Sequence, residues 1–124
     1  MELVQVEDYE PEIDQLIQDN FGPGESLWSP KCFNLLYKLV DDQKLVGVCT
    51  LQWSGEYWIL GDVCVGHKGR GYGTEIVRRV CESHPESIWA DATSAGSEVI
   101  LKRNSFHPTS VQPWEPEGKG YMTC

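Results

Sequence analysis

Between residues 63 and 74 the chain reads Val-Cys-Val-Gly-His-Lys-Gly-Arg-Gly-Tyr-Gly-Thr, with glycines at 66, 69, 71 and 73 and cations at Lys68 and Arg70. An apolar strand end runs into a glycine loop, and a helical pattern follows at once. Glycines let consecutive amides point the same way and approach a ligand closely. The first turn of the following helix adds donors without intrahelical acceptors and a positive dipole end. A strand–loop–helix of this composition is an anion cradle, and its natural ligand is a phosphate or pyrophosphate.

With 124 residues the chain fits one domain, 1–124. Such a domain buries roughly two thirds of the surface its unfolded chain exposes. The apolar runs are short, far below the ~20 residues that cross a bilayer, and Met1-Glu2-Leu3-Val4-Gln5 has neither a basic nor an apolar leader region. The expectation is a cytoplasmic protein with no membrane partner. Cys32, Cys49, Cys64, Cys81 and Cys124 are odd in number and form no Cys-x-x-Cys pair. That argues against a disulfide framework or a zinc site and for small buried hydrophobes. No histidine pair has metal-ligand spacing either, so no metal is expected, and His67 and His84 read as surface residues.

Net charge is −9 and unevenly spread. Residues 1–30 hold eight carboxylates and no Lys or Arg, whereas Lys68, Arg70, Arg78 and Arg79 face Glu75 alone. The layout suggests phosphates held at the basic loop and a cationic partner drawn to the acidic half. The overall sign disfavours nucleic acid, whose binding needs a basic face.

Taken in order, Glu2 to Val6 reads as a strand, and Pro11 opens a helix carrying Ile13, Leu16, Ile17 and Phe21 at helical spacing. Residues 22–32, with Trp28, read as a loop or broken helix. Strands over 33–40, 45–53 and 57–65, separated by Asp41-Asp42-Gln43-Lys44 and Ser54-Gly55-Glu56, form an antiparallel meander whose last and most apolar member is central. Tyr72, Ile76, Val77, Val80 and Cys81 line one face of a helix that Pro85 stops, and Ser87 to Ala92 is a strand, which makes a βαβ crossover. A last helix fits 97–104, with Ser94 as N-cap and Val99, Ile100 and Phe106 inward. Val111 to Trp114 and Tyr121 to Cys124 leave room for two short strands.

Spacing separates the glycine-loop chemistries. The P-loop fails because Tyr72 stands at the lysine position after Gly66 and Gly71. A dinucleotide fingerprint starts at Gly69 and Gly71 with Asp91 about 20 residues on, but Thr74 replaces its third glycine and a meander precedes it. Lys68-Gly69-Arg70-Gly71-Tyr72-Gly73 resembles the Arg/Gln-x-x-Gly-x-Gly/Ala signature of the GNAT N-acetyltransferase superfamily, and Leu45 to Val48, Asp62 to Val65 and Ser94 to Phe106 extend the likeness over about residues 33–107.

The resemblance implies an α+β fold: a mixed, mostly antiparallel sheet of six to seven strands flanked by about four helices, splayed after the fourth strand. It further implies acetyl-CoA as cofactor, its pyrophosphate on Lys68, Gly69, Arg70, Gly71, Tyr72, Gly73 and Thr74 and its pantetheine arm along Val63, Cys64 and Val65. The implied activity is acetyl transfer to a primary amine of a small-molecule or peptide acceptor, and a homodimer is compatible with it. Asp62, interrupting an apolar strand beside the acyl site, is the candidate base, its pKa expected to be raised by apolar surroundings; Glu56 is a weaker one. Where many members carry a tyrosine acid this chain has Leu101, which leaves Ser94, Ser97, His107 or a water as proton donor. The loop from Val65 to Gly71 and the tail after Phe106 are shorter than the family pattern, which keeps a non-catalytic acyl-CoA-binding or protein-interaction module as the rival reading.

Overall fold

The computed structural model describes residues 1–22, 34–67, 69–113 and 118–123. Within them the N-terminal alternation becomes strands β1 (Glu2–Val6), β2 (Asn34–Asp41), β3 (Lys44–Trp53) and β4 (Trp58–Val65). Asp42 and Gln43 take positive φ (51° and 64°), the two-residue turn whose twist suits a hairpin, and β2 pairs antiparallel with β3 across it. At the next turn Ser54 Oγ accepts from the amides of Glu56 and Tyr57 at 3.3 and 2.9 Å, and β4 returns antiparallel to β3.

Helices α1 (Pro11–Phe21), α2 (Tyr72–Ser83) and α3 (Ala95–Arg103) and strands β5 (Ile88–Ala92), β6 (His107–Pro108) and β7 (Lys119–Met122) complete a seven-stranded sheet of order β1-β2-β3-β4-β5-β7-β6. β4 is the middle strand, as its apolar sequence requires, and β4 and β5 form the parallel pair of the crossover. Three helices stand among the described residues where about four were expected. The loop or helix read over 22–32, Trp28 included, falls almost wholly outside them, and so do Cys32, Trp114 and Cys124.

Each face of the sheet has its own core. On one, α1 lays Ile13, Leu16 and Ile17 over Val6, Leu36, Val48 and Cys64; on the other, Ile76, Val77 and Val80 of α2 and Leu101 of α3 cover Leu39, Cys49, Leu51 and Tyr121. Burial of each such side chain stabilises by roughly 1.5–3 kcal/mol. Cys64 is buried and Cys81 half-buried, and both behave as small hydrophobes: burial pushes Cys64 up to about 12 and Cys81 up to about 11, so neither is a thiolate at neutral pH.

Three expectations need correction. Val99, read as inward, is 45 % exposed, while Leu101 is 3 % exposed, because α3 begins at Ala95 and turns its narrow apolar stripe through Leu101. The strand read at Val111 to Trp114 is instead the two-residue β6 at His107–Pro108, paired with β7, and β7 inserts between β5 and β6. His84 is not a free surface residue: its Nε2 shares a 2.6 Å hydrogen bond with the Tyr37 hydroxyl, and its ring stands edge-on to Trp58, centroids 5.4 Å apart.

Candidate functional site

β4 and β5 pair in register only at Trp58↔Ile88, Ile59↔Trp89 and Leu60↔Ala90, and beyond these positions they diverge. On its other side β4 carries a bulge: Cys49 faces Val63 and Leu51 faces Leu60, so Gly61 and Asp62 together oppose Thr50. An extra residue bends and twists the strand that holds it. The sheet thus opens into a V at its centre, with Gly61 to Val65 as one edge.

A cleft of about 1240 Å³ fills the V. Its β4 wall presents Asp62, Val63 and Val65, its floor Leu60 and Ala90, and its far wall Ser94, Ser97 and Ile100 of the α3 region. Gly69, Gly71, Tyr72, Gly73 and Thr74 close one end, at the start of α2. Most of the residues singled out from sequence therefore meet in one cavity. Cys64 does not: its side chain is buried under α1, and only its backbone shares the β4 edge. Arg70 is exposed and does not line the cleft, and Lys68 lies outside the described residues.

The four glycines of the loop divide into two kinds. Gly69 and Gly71 have φ of 84° and 77°, where L side chains are strained, and a Cβ on either would meet nothing within 4 Å. Gly71 is the N-cap of α2 and offers no side-chain cap, so amides of the first turn are left to a ligand. Gly73, in contrast, is buried at the α2–α3 contact: a Cβ there would sit 3.0 Å from Ile100 Cδ1, so it serves helix packing. The loop is anchored at Gly66, whose amide donates to Val46 O at 3.0 Å, and Asn20 Nδ2 donates to Val65 O at 3.3 Å. Tyr72 Oη donates to Asp41 Oδ2 at 3.3 Å and ties the β2–β3 hairpin to the start of α2.

The charge layout differs from the expectation. Arg78 ion-pairs with Glu75 and Glu82, and Arg79 with Glu75 at 2.7 Å, all on the outer side of α2. These arginines hold the Glu75 carboxyl below its usual range and do not face the loop. Among the described residues the carboxylates lining the cleft are Asp62 and Asp91, with Arg103 also in the lining, and none of the carboxylates in residues 1–22 reaches it. Asp62 is exposed, so the apolar enclosure expected around it is absent.

Ser94 is the N-cap of α3. Its Oγ accepts from the Ser97 amide at 3.1 Å and donates to Ser97 Oγ, whose own proton goes to Ser94 O. That closed capping box engages the proton an acid would have to give. Leu101 is buried beside the cleft. Glu56 and His107 do not line it, whereas His67 does, at the glycine end.

Sequence reading missed Thr50, Gln52 and Thr93 as lining residues, and it noticed Asp91 only as a dinucleotide contact. The signal for the first two was present. Val48, Thr50 and Gln52 share one face of β3, and that face turns from apolar to polar just where α1 stops covering it.

No family model and no curated protein sequence matches the chain. Solved structures do match. The coenzyme-A-bound solution structure of YhhK from E. coli, a proposed N-acetyl transferase, shares 15 % identity at a TM-score of 0.70, over 99 % of this chain and 97 % of that one. The aminoglycoside 6'-N-acetyltransferase of Enterococcus faecium shares 14 % at 0.66, over 98 % and 96 %. A proposed acetyltransferase of the GNAT family from Desulfovibrio desulfuricans shares 10 % at 0.65, over 98 % and 96 %. A KacTA–DNA complex also matches, with 13 % identity and a TM-score of 0.59 over 98 % and 92 %, so the fold gives no support to the expectation that nucleic acid is excluded. The sheet order, the splay after β4 and these alignments over nearly whole chains agree that this chain has the fold of the GNAT acetyltransferases.

Proposed function

We propose that the protein is an acetyl-CoA-dependent N-acetyltransferase acting on a primary amine. The observation that carries this reading is the start of α2, where Gly69 and Gly71 turn bare backbone toward a cleft and a Cβ at either would stand in open space. A pyrophosphate fits such a cradle: amides from residue 69 to 74 can converge on it, the helix dipole adds favourable charge, and no side chain intervenes. The unpaired edge of β4 from Val63 to Val65 suits the amide-bearing pantetheine arm of coenzyme A, which can add to it as a further strand.

Acetyl-CoA supplies an acyl carbon activated as a thioester. On this reading Asp62 takes the proton that the acceptor ammonium must lose before its nitrogen attacks, and solvent returns one to the departing sulfur. A β4 amide at Val63 to Val65 polarises the acyl oxygen. Asp62 and Asp91 give the acceptor half a negative lining, which favours a cationic acceptor: a polyamine, a lysine side chain, a protein N-terminus or an aminoglycoside.

One observation favours the second reading, a module that binds acyl-CoA without turnover: Leu101 is apolar and the Ser94 proton is engaged, so neither can act as the acid. Thiol release from acetyl-CoA with a panel of these amines separates the two. The enzyme reading expects release with at least one amine, reduced roughly 10²-fold or more in Asp62→Asn with coenzyme A affinity unchanged. Tight coenzyme A binding without release from any amine would establish the module instead.

A further inference from the structure

Thr50 is half-buried on β3 at the one place where the β3–β4 ladder skips a residue. Two contacts show how the skip is held. The Thr50 Oγ1 accepts from the Asp62 amide at 3.1 Å, replacing the backbone partner that a regular ladder would supply. The same oxygen sits where a side chain on Gly61 would be: a Cβ at Gly61 would lie 2.1 Å from Thr50 Oγ1. The bulge therefore depends on a fitted pair, a hydroxyl on β3 and the missing side chain opposite it. Of the β4 residues that line the cleft, Leu60 precedes the bulge, Gly61 and Asp62 form it, and Val63 and Val65 follow it.

We propose that Thr50 is a positioning residue: through its hydrogen bond to the Asp62 amide it fixes the β4 bulge and so aims Asp62 and the Val63 to Val65 edge into the cleft. The consequence for ligand binding rests on the coenzyme A reading above, while the lock itself does not. Valine matches threonine in shape but cannot accept a hydrogen bond, and serine keeps the acceptor without the methyl.

The test measures amide hydrogen exchange of the full chain by NMR together with its affinity for coenzyme A, in wild type, Thr50→Val and Thr50→Ser. Loss of one such bond predicts exchange at Asp62 about fivefold faster in Thr50→Val, with the Ile17 amide in α1 unchanged as reference, and Kd for coenzyme A raised by a similar factor. Thr50→Ser should restore both. Wild-type exchange at Asp62 in Thr50→Val would overturn the lock. Faster exchange with unaltered Kd would overturn its positioning role. A wild-type chain without affinity for coenzyme A would overturn the reading of the site instead, and exchange at Asp62 would still decide whether the lock exists.

Discussion

At the residue scale, position 71 concentrates what the loop requires. Gly71 needs a left-handed backbone to turn into α2, and it needs no side chain because the space beside it is where a ligand would go. Gly71→Leu should cost about 1–2 kcal/mol in stability, the penalty for forcing an L residue into that region, and leave the chain folded. It should also abolish the stabilisation by coenzyme A, since the side chain would fill the cradle. Gly66→Ala is the control: Gly66 has no positive φ, and its Cβ would make ordinary contacts of 3.9 Å. Thermal melts of both variants with and without coenzyme A check the pair. The glycines were legible in sequence as a group, but their division was not. Spacing cannot distinguish Gly71, which frees space for a ligand, from Gly73, which frees space for Ile100; that requires the position of α3.

Among elements, α3 shows how a local signal can be right about structure and misleading about chemistry. Ser94 was legible as a cap, and the capping box confirms it. Its proposed second role as an acid conflicts with the first, because the box uses its proton. Ser94→Ala should destabilise the protein by about 1 kcal/mol in urea unfolding. Ser94→Asn preserves a cap acceptor and should keep both stability and turnover; a stably folded Ser94→Asn without turnover would return Ser94 to the mechanism. The strands from β1 to β5 were readable because each has a run of alternating or continuous apolar residues bounded by turn chemistry. β6 was not, since His107 and Pro108 are two exposed residues whose pairing comes entirely from β7. The β4 bulge was also invisible: Gly61 reads as a weak point in a strand until Thr50 is seen opposite it.

For the whole molecule, the acidic N-terminal segment and the glycine loop were expected to form two electrostatic poles. The structure reduces the contrast at short range, because Arg78 and Arg79 are neutralised along α2 and the described carboxylates of the first 22 residues stay outside the cleft. Among the described residues the charged side chains that line the cleft are Asp62, Asp91 and Arg103, while a net charge of −9 remains to act at long range. The glycine end of the cleft was legible because a backbone cradle writes itself as glycine spacing. The rest of the cleft was not, since its lining is drawn from β3, β4, β5 and α1 and converges only in the fold.

If the cleft binds coenzyme A through the start of α2, the ligand must raise the melting temperature of the chain. At about 100 times its Kd, a ligand of the native state adds about 2.7 kcal/mol, a Tm rise on the order of 10 °C for a chain of this size. That rise is expected with coenzyme A and acetyl-CoA, none with NAD or ATP, and it should be lost in Gly71→Leu. Equal response to all four ligands, or none to coenzyme A, would contradict that binding.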